Sequence, residues 1–275
     1  MKATTRMIGA ALTPLLAAMA LGACATTTEQ GTVGVQRSQL LLVSSADMDK
    51  AAAAQYQKLI QGETPKGTVN KDPKQVARVR GIANRLIPQT AVFRKDALEW
   101  KWEVNVLTSS EVNAWCMPGG KIAVYTGLIE KLQITDDELA AVMGHEISHA
   151  LREHGRERAS QQLATQSAAS LAGALLGVGQ TGTELAGMVG QVTYLLPYSR
   201  IHETEADRMG VELAARAGYD PRAAITLWQK MAKLSSGSAP PALLSTHPSD
   251  EDRMKDLTEY AQKVLPLYEA ARAKS

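Results

Sequence analysis

Two histidines stand four residues apart with a glutamate between them, in the stretch HEISH at residues 145–149. On an α-helix, side chains four residues apart share one face, so the rings of His145 and His149 project side by side. That spacing lets two imidazoles bind one zinc ion. Glu146 is placed to reach a water activated by the metal rather than the metal itself. The stretch predicts a hydrolytic metal site, with two partly buried histidines on an ordinary helix as the alternative.

The helix that carries this stretch has a recognisable start. Thr135 and Glu138 form the capping-box pattern, and Asp136 and Asp137 stand where the helix dipole favours negative charge. Gly155 is the predicted C-terminal stop. An apolar stripe follows at helical spacing, formed by Leu139, Val142, Met143, Ile147 and Leu151.

A third ligand is predicted in SRIHETEADRMG at residues 199–210. Glu203 completes a His, His, Glu set and leaves a fourth position open, as catalytic zinc requires. Asp207, one helical turn later, is placed to accept a hydrogen bond from the outer nitrogen of a ligand histidine. Glu205 falls on the opposite side of the helix. A solvated acidic helix face is the alternative for this segment.

The other histidines are predicted to lie elsewhere. His154 stands nine residues after His145, on the far side of a continuous helix, and is expected to interact with the helix C-terminus. His202 is expected at the surface. His247 precedes Pro248 on a stiff turn, so both a surface position beside a helix cap and a place near the site remain open.

Residues 1–23 predict a lipoprotein signal peptide, with a short positive region and an apolar run too interrupted for a membrane span. They lead into Cys24 through LGAC, which resembles the bacterial lipobox, whose cysteine is lipidated; a plain secretory signal is the alternative. Ala25, in place of aspartate, implies an outer-membrane anchor facing the periplasm of a Gram-negative bacterium. Residues 24–45 predict a flexible, polar tether. Membrane contact is therefore expected through lipid on Cys24.

Composition excludes several classes of protein. The chain has 275 residues, 45% of them hydrophobic and 21% charged, which is ordinary for a globular protein. The net charge of +2 is accounted for by Lys2 and Arg6 in the leader, and without a basic tract we expect no nucleic-acid partner. Only Cys24 and Cys116 are present, so lipidation of Cys24 leaves no intramolecular disulfide.

Residues 46–275 predict one domain of the α+β class, predominantly α-helical. Residues 98–107 alternate like a strand, and residues 111–129 form a hairpin around Pro118-Gly119-Gly120. Helical patterns occupy 73–87, 200–217, 220–234 and 249–272. Residues 163–197, with Glu184 as the one charge, predict a close-packed helical hairpin, with membrane insertion as the alternative.

HEISH, SRIHETEAD and THPSDEDR occur in an order that resembles the zinc metallopeptidases of the HtpX-like and CAAX prenyl protease family, which are gluzincins. The resemblance covers roughly residues 75–270 and includes the hairpin NAWCMPGGKIAVYTGLI. With the lipobox, the chain is most similar to the periplasmic lipoprotein branch, the LoiP-type proteases. The resemblance implies a zincin-like domain with a small antiparallel sheet or hairpin beside the active-site helix.

By this resemblance, one zinc ion per chain is bound by His145, His149 and Glu203. Glu146 matches the catalytic glutamate, and Asp207 matches the aspartate that supports a ligand histidine.

The resemblance places His247 near the active site, in one of two roles. It either stabilises the oxyanion or occupies the open metal position and keeps the enzyme latent. Two features depart from the family. Cys116-Met117 replaces the common Ala-Leu, and the family's membrane-spanning helices are missing, which argues against a prenyl-protein substrate.

Substrate is expected to pair as an added strand along an exposed hairpin edge, a mode that suits unfolded chains because it reads little side-chain identity. The resemblance implies a zinc metalloendopeptidase for unfolded or misassembled envelope proteins, in outer-membrane protein quality control. The outer-membrane assembly machinery is a further candidate partner. A chaperone or assembly factor with latent proteolysis is the alternative. The predicted edge consists of Asn113, Ala114, Trp115, Cys116 and Met117.

Overall fold

The computed structural model describes residues 24–170, 188, 191, 198–235, 240–248 and 251–274. The predicted signal peptide at 1–23 and most of the stretch 163–197 lie outside the described residues. Within the described part, no helix has the length and apolar character needed to cross a membrane. The helices are α1 (Ser45–Glu63), α2 (Pro73–Leu86), α3 (Thr126–Leu132), α4 (Asp136–Leu151), α5 (His154–Ser170), α6 (Arg200–Arg216), α7 (Ala223–Ser235), α8 (Ala242–Thr246) and α9 (Glu251–Arg272).

In the described part of the chain the strands form two small sheets, which confirms the prediction of a predominantly helical α+β chain. Antiparallel pairing joins β1 (Cys24–Ala25) to β2 (Gln39–Leu40). The second sheet has the order β3-β5-β4, from β3 (Glu103–Leu107), β4 (Ala114–Met117) and β5 (Lys121–Tyr125).

The predicted hairpin is present as β4 and β5, which pair antiparallel. Its turn relies on Gly119 and Gly120, at φ values of 72° and 79° that favour glycine. The sheet is mixed rather than antiparallel throughout, because β3 pairs with β5 in parallel. The hairpin turn pairs β4 with one edge of β5, so β3 can pair only with the other edge of β5. The strand predicted over residues 98–107 starts only at Glu103, and its first two positions belong to a 3₁₀ turn (Lys95–Glu99) instead.

The start of α4 follows the sequence prediction. Thr135 accepts a hydrogen bond from the Glu138 amide at 3.2 Å, and Glu138 accepts one from the Thr135 amide at 2.8 Å. The end of the helix differs, because α4 stops at Leu151 rather than at Gly155. Glu153 adopts a left-handed conformation at φ 52°, and this turn starts α5 in a new direction.

The packing of α4 against α6 positions the candidate site. Gly144 and Gly210 face each other at the crossing, and a Cβ on Gly144 would lie 2.8 Å from the Gly210 carbonyl oxygen. A Cβ on Gly210 would lie 2.8 Å from the His145 amide nitrogen. Because neither position admits a side chain, the two backbones come unusually close. The HEISH stretch of α4 therefore lies directly against residues 203–210 of α6.

The structure differs from the prediction of a flexible tether over residues 24–45. Val33 and Val35 are buried in the main apolar core. The amides of Thr32 and Val33 donate to Glu212 at 2.8 and 3.0 Å, and Glu212 itself is fully buried. The segment therefore covers apolar surface and a carboxylate that would otherwise lack these donors. The polar composition of residues 24–45 predicted a tether because composition does not reveal these few long-range contacts.

Candidate metal centre

Four buried side chains converge on one point. Among the described residues, His145, His149, Glu203 and His247 form the one group of metal-ligating type, with one ligand atom from each lying within 4.8 Å of the others. The histidines of HEISH come from α4, the glutamate from α6, and His247 from the residue after α8. The structure thus brings the three predicted ligands together and adds His247.

The spacing of these atoms fits a metal ion. The Nε2 atoms of His145 and His149 lie 3.0 Å apart, and His149 Nε2 lies 3.4 Å from Glu203 Oε1. Two nitrogens bound at about 2.0–2.1 Å to one tetrahedral zinc would lie roughly 3.3 Å apart. Burial lowers the pKa of His149 well below its ordinary value, so the ring is neutral and able to act as a ligand.

Asp207 orients the first histidine, at the position that the sequence predicted. His145 Nδ1 lies 2.8 Å from Asp207 Oδ1. Because an ionised carboxylate only accepts, Nδ1 carries the proton and the Nε2 lone pair faces the cluster. Burial opposes ionisation of Asp207, but Arg253 and His145 lower its pKa below the ordinary value. This arrangement prepares His145 to bind a cation.

Arg253 links two of the acidic residues of α6, Glu203 and Asp207. It donates to Asp207 Oδ2 at 2.6 Å and lies 2.8 Å from Glu203 Oε2. Its guanidinium also lies over the Trp228 ring, 3.6 Å from the centroid. Burial disfavours a charged Glu203, but His247 and Arg253 lower the pKa of that carboxyl well below its usual range. The position of Arg253 relative to HEISH does not predict this role. Arg253 belongs to the stretch THPSDEDR, and only that stretch indicates a place near the metal centre.

Glu146 lies beside the cluster rather than in it. Its side chain is buried, and Oε1 has no hydrogen-bond partner; His247 Nε2 lies 3.4 Å away. Burial raises the pKa of Glu146, with His247 and His145 opposing that shift. A buried carboxylate with an unsatisfied oxygen costs stability, which is typical of a group kept for chemistry.

His247 is in contact with the other ligand-type groups. Its Nδ1 lies 2.9 Å from Glu203 Oε1 and 3.2 Å from His145 Nε2, and the residue is 3% exposed. Of the two readings left open by the sequence, a surface histidine is excluded and a place in the site is observed.

Tyr198 covers this histidine and has no counterpart in the sequence prediction. Its ring is stacked on His247 with 5.2 Å between centroids and 22° between planes. It also lies 4.0 Å from the His149 ring, and its amide donates to the Thr246 carbonyl at 2.9 Å. The site is therefore closed by an aromatic side chain, in the conformation seen here.

The predictions for two further histidines were wrong. His154 is fully buried, and its Nδ1 lies 2.9 Å from His149 Nδ1, because the turn after α4 folds it back beside the site. Burial lowers the pKa of His154 well below its ordinary value, so the ring is neutral. His202 is also buried, stacked on His154 with 4.4 Å between centroids and bonded to Glu157 at 3.1 Å. Glu205, as expected, stays outside the metal cluster.

The predicted substrate edge is an edge strand but not an exposed one. β4 is the outer strand of its sheet, yet none of the five predicted residues is more than 4% exposed. Trp115 and Met117 belong to an apolar cluster with residues of α1 and with Met188, while Ala114 and Cys116 belong to the main core. Neighbouring elements thus cover the side chains that the sequence placed at an open edge.

Comparison with known proteins agrees with this geometry. The sequence profile of Peptidase family M48 matches residues 73–261. The chain is 38% identical over 177 residues to mitochondrial metalloendopeptidase OMA1 of Arabidopsis thaliana, covering 62% of this chain and 34% of that protein. For mitochondrial metalloendopeptidase OMA1 of Bos taurus the identity is 31%, covering 85% and 46%. For the beta-barrel assembly-enhancing protease of Escherichia coli it is 26%, covering 77% and 43%. The matches span between a third and a half of each relative.

Proposed function

This chain belongs to peptidase family M48, and on that premise we propose that it is a zinc-dependent metalloendopeptidase. The observation that carries the proposal is the pairing of two groups: a buried set of three imidazoles and a glutamate able to hold a metal, and beside it the Glu146 carboxylate with an unsatisfied oxygen. The metal-ligating set alone would lack a base, and the Glu146 carboxylate alone would lack a Lewis acid. Together they supply a Lewis acid site and a base, the requirements of metal-assisted hydrolysis.

In this proposal His145, His149 and Glu203 hold the zinc, which when bound activates water and polarises the peptide carbonyl. Glu146 accepts a proton from the attacking water and passes it to the leaving amine nitrogen. Burial supports this role, because it raises the pKa of Glu146 towards the working range of a general base. Asp207 keeps the His145 ring oriented throughout.

We propose unfolded or misassembled envelope proteins as the substrates. Pairing with the backbone of β4, the outer strand of its sheet, would use backbone hydrogen bonds and would therefore select for extended chains. The name of the Escherichia coli relative refers to beta-barrel assembly, which supports a role in outer-membrane protein quality control and contact with the assembly machinery. We also propose that the chain belongs to the HtpX-like proteases and, within them, to the LoiP-type branch.

The direct experiment is cleavage of an unfolded reporter protein by the purified full chain. Cleavage should stop when a chelator removes the metal and return when zinc is added back. Cleavage that persists in the metal-free protein would refute the proposal. A folded form of the same reporter serves as the control for the preference for extended chains.

The position of His247 favours a latent state of this enzyme. Its Nδ1 is as close to Glu203 and to His145 as the ligand atoms are to one another. In this position the ring fills the place that water needs, while Tyr198 holds it by stacking. A client chain would have to displace both before cleavage. The alternative function, a chaperone or assembly factor with latent proteolysis, is supported by the same positions of His247 and Tyr198.

We expect His247→Ala to raise basal cleavage of an unfolded reporter, because the change frees one position in the metal cluster. The measurement is the initial cleavage rate without a client protein, at equal zinc content. A fall of about 10²-fold would instead assign His247 to oxyanion stabilisation, since loss of such a donor typically costs that much. An unchanged rate would contradict both roles. His202→Gln, at a buried histidine outside the cluster, is the matched control.

We propose that the protein is a lipoprotein anchored through Cys24 in the outer membrane and facing the periplasm. Cys24 is exposed at the start of the described chain, where a lipid is compatible with the fold. Because the segment that follows is packed on the domain, the anchor would hold the catalytic domain close to the membrane surface.

Cys24→Ser is expected to release the protein from outer membranes or to leave its leader uncut. Membrane fractionation gives the first readout, and mass spectrometry of the native protein gives the mass of the lipid on Cys24. The buried Cys116→Ser variant should fractionate like the wild type. An unmodified Cys24 in the membrane fraction would refute the anchor.

A further inference from the structure

The N-terminal segment reaches the metal centre through a line of buried polar groups. His149 Nδ1 lies 2.9 Å from His154 Nδ1, and His154 Nε2 lies 2.9 Å from Glu205 Oε2. We call these three side chains the outer relay. His149 and His154 are 3% and 0% exposed, and Glu205 is 7% exposed. The relay therefore lies in the protein interior, on the side of His149 that faces away from the cluster.

The relay determines which nitrogen of His149 carries the proton, and therefore which nitrogen presents its lone pair to the metal site. Glu205, as a carboxylate, accepts a hydrogen bond, so His154 carries its proton on Nε2. His149 Nδ1 and His154 Nδ1 lie 2.9 Å apart, so one of them must donate; a His149 that binds the metal through Nε2 carries its proton on Nδ1 and donates it to His154 Nδ1. The lone pair of His149 is left on Nε2, the atom that lies 3.0 Å from His145 Nε2. Glu205 thus orients His149 through His154, whereas Asp207 orients His145 by a direct hydrogen bond.

Arg37 holds the outer end of this relay. Its Nε and Nη2 atoms donate to the two oxygens of Glu205, each at 3.1 Å. Its Nη1 and Nη2 atoms donate to Glu157 at 2.6 and 2.8 Å. A guanidinium is suited to this, because its planar fork bonds two carboxylates at once. Without it, two buried carboxylates would face each other without their shared cation.

The remaining neighbours do not replace Arg37. Arg152 Nη2 also donates to Glu205, at 3.2 Å, and to the Arg37 carbonyl, and Nη1 donates to Gln39, but none of the hydrogen bonds of Arg152 to described residues reaches Glu157. Glu157 is bonded to Arg37, His202 and Gln39; burial opposes its ionisation, but these bonds lower the pKa of Glu157 to about 2. Arg37 is therefore the group that connects the two carboxylates.

From this geometry we propose that Arg37 is a positioning residue for the metal ligand His149, acting through Glu205 and His154. Arg37 lies outside residues 73–261, the part that matches the family profile. The segment between the anchor and the catalytic domain is thus part of the metal centre's support. The inference rests on the proposed zinc site, because it concerns how tightly that site holds its ion.

The test is the zinc affinity of the metal-free full chain, measured by competition with a chromophoric chelator. We expect Arg37→Met to lower the affinity about 10–100-fold, the usual effect of losing a partner behind a ligand. Arg37→Lys should recover part of the loss, because it restores charge but not the fork. The visible absorption of the cobalt-loaded protein should change in Arg37→Met, since that spectrum reports ligand geometry.

Arg216→Met is the matched control. Arg216 also pairs with a buried glutamate, Glu212, and its side chain is 28% exposed against 32% for Arg37. It donates to Thr32 in the same N-terminal segment but does not touch the relay. We expect unchanged zinc affinity in Arg216→Met, even where the unfolding temperature falls as much as in Arg37→Met.

Equal zinc affinity in Arg37→Met and the wild type would overturn the inference and leave the proposed function standing. An equal loss in Arg216→Met would also overturn it, since docking of the segment alone would then explain the effect. Should Arg37→Met fail to fold, Arg37→Lys decides, because affinity identical to the wild type contradicts the need for the fork. A wild-type chain that binds no zinc would refute the proposed function itself.

Discussion

Glu146→Gln is expected to reduce cleavage of an unfolded reporter by about 10²–10⁴-fold, the usual contribution of a general acid–base group. Glutamine keeps the shape of the side chain but cannot accept the proton from water. The metal should remain, because the Glu146 carboxylate is not among the converging ligand atoms. The measurements are the cleavage rate and the zinc content of the same preparation. Unchanged turnover at full zinc content would remove Glu146 from the mechanism.

The same variant makes a prediction about stability. Glu146 Oε1 is buried without a hydrogen bond, and burial raises the pKa of its carboxyl, so the charged form is disfavoured in the fold. A neutral amide avoids that cost. We therefore expect the unfolding temperature of metal-free Glu146→Gln to equal or exceed that of the wild type. A marked decrease would show that Glu146 has a structural role that its contacts do not reveal.

His145→Ala and Glu203→Ala should each lose the zinc and, with it, cleavage. Each removes one of the groups that converge in the cluster, and His145→Ala also leaves Asp207 without that partner. Elemental analysis after dialysis gives the zinc content per chain, expected near one in the wild type and near zero in both variants. Full zinc in either variant would contradict the ligand assignment.

The control for these ligand variants is His202→Gln. His202 is adjacent to Glu203 in sequence and equally buried, at 3% exposure, but its ring bonds to Glu157 and lies outside the cluster. It should keep one zinc per chain. Loss of the metal from this variant would show that a disturbance of α6, or of the His154 ring stacked on His202, is enough to empty the site, and the ligand assignment would then need separate support.

Local signals predicted much of the site. The capping box at Thr135 was confirmed, because its two hydrogen bonds join residues three positions apart. The hairpin around Gly119 was confirmed for the same reason, since a turn depends on adjacent backbone conformations. The proximity of His145 and His149 follows from helical geometry alone. Their role as ligands remains a prediction until the metal is measured.

The sequence predictions fail where α4 ends earlier than its pattern indicates and where a polar segment is packed on the domain. His154 would lie opposite His145 on a continuous helix, but the left-handed Glu153 redirects the chain and places His154 behind His149. His202 is predicted at the surface because it points about 100° away from Glu203 on the helix, but packing of other elements buries it. The N-terminal segment appeared polar, yet Arg37 and its neighbours are bound to groups more than a hundred residues away.

Sequence patterns predicted which side chains are candidates for the chemistry and which of them share one helical face, because those relations depend on neighbours within a few positions of each other. The tertiary structure decided which faces meet. The glycines at positions 144 and 210 allow α4 and α6 to approach closely, and that contact brings Glu203 and Asp207 to the histidines. The place of Arg37, and of the aromatic ring that covers His247, depends on long-range packing, for which no local pattern in the chain provides a rule.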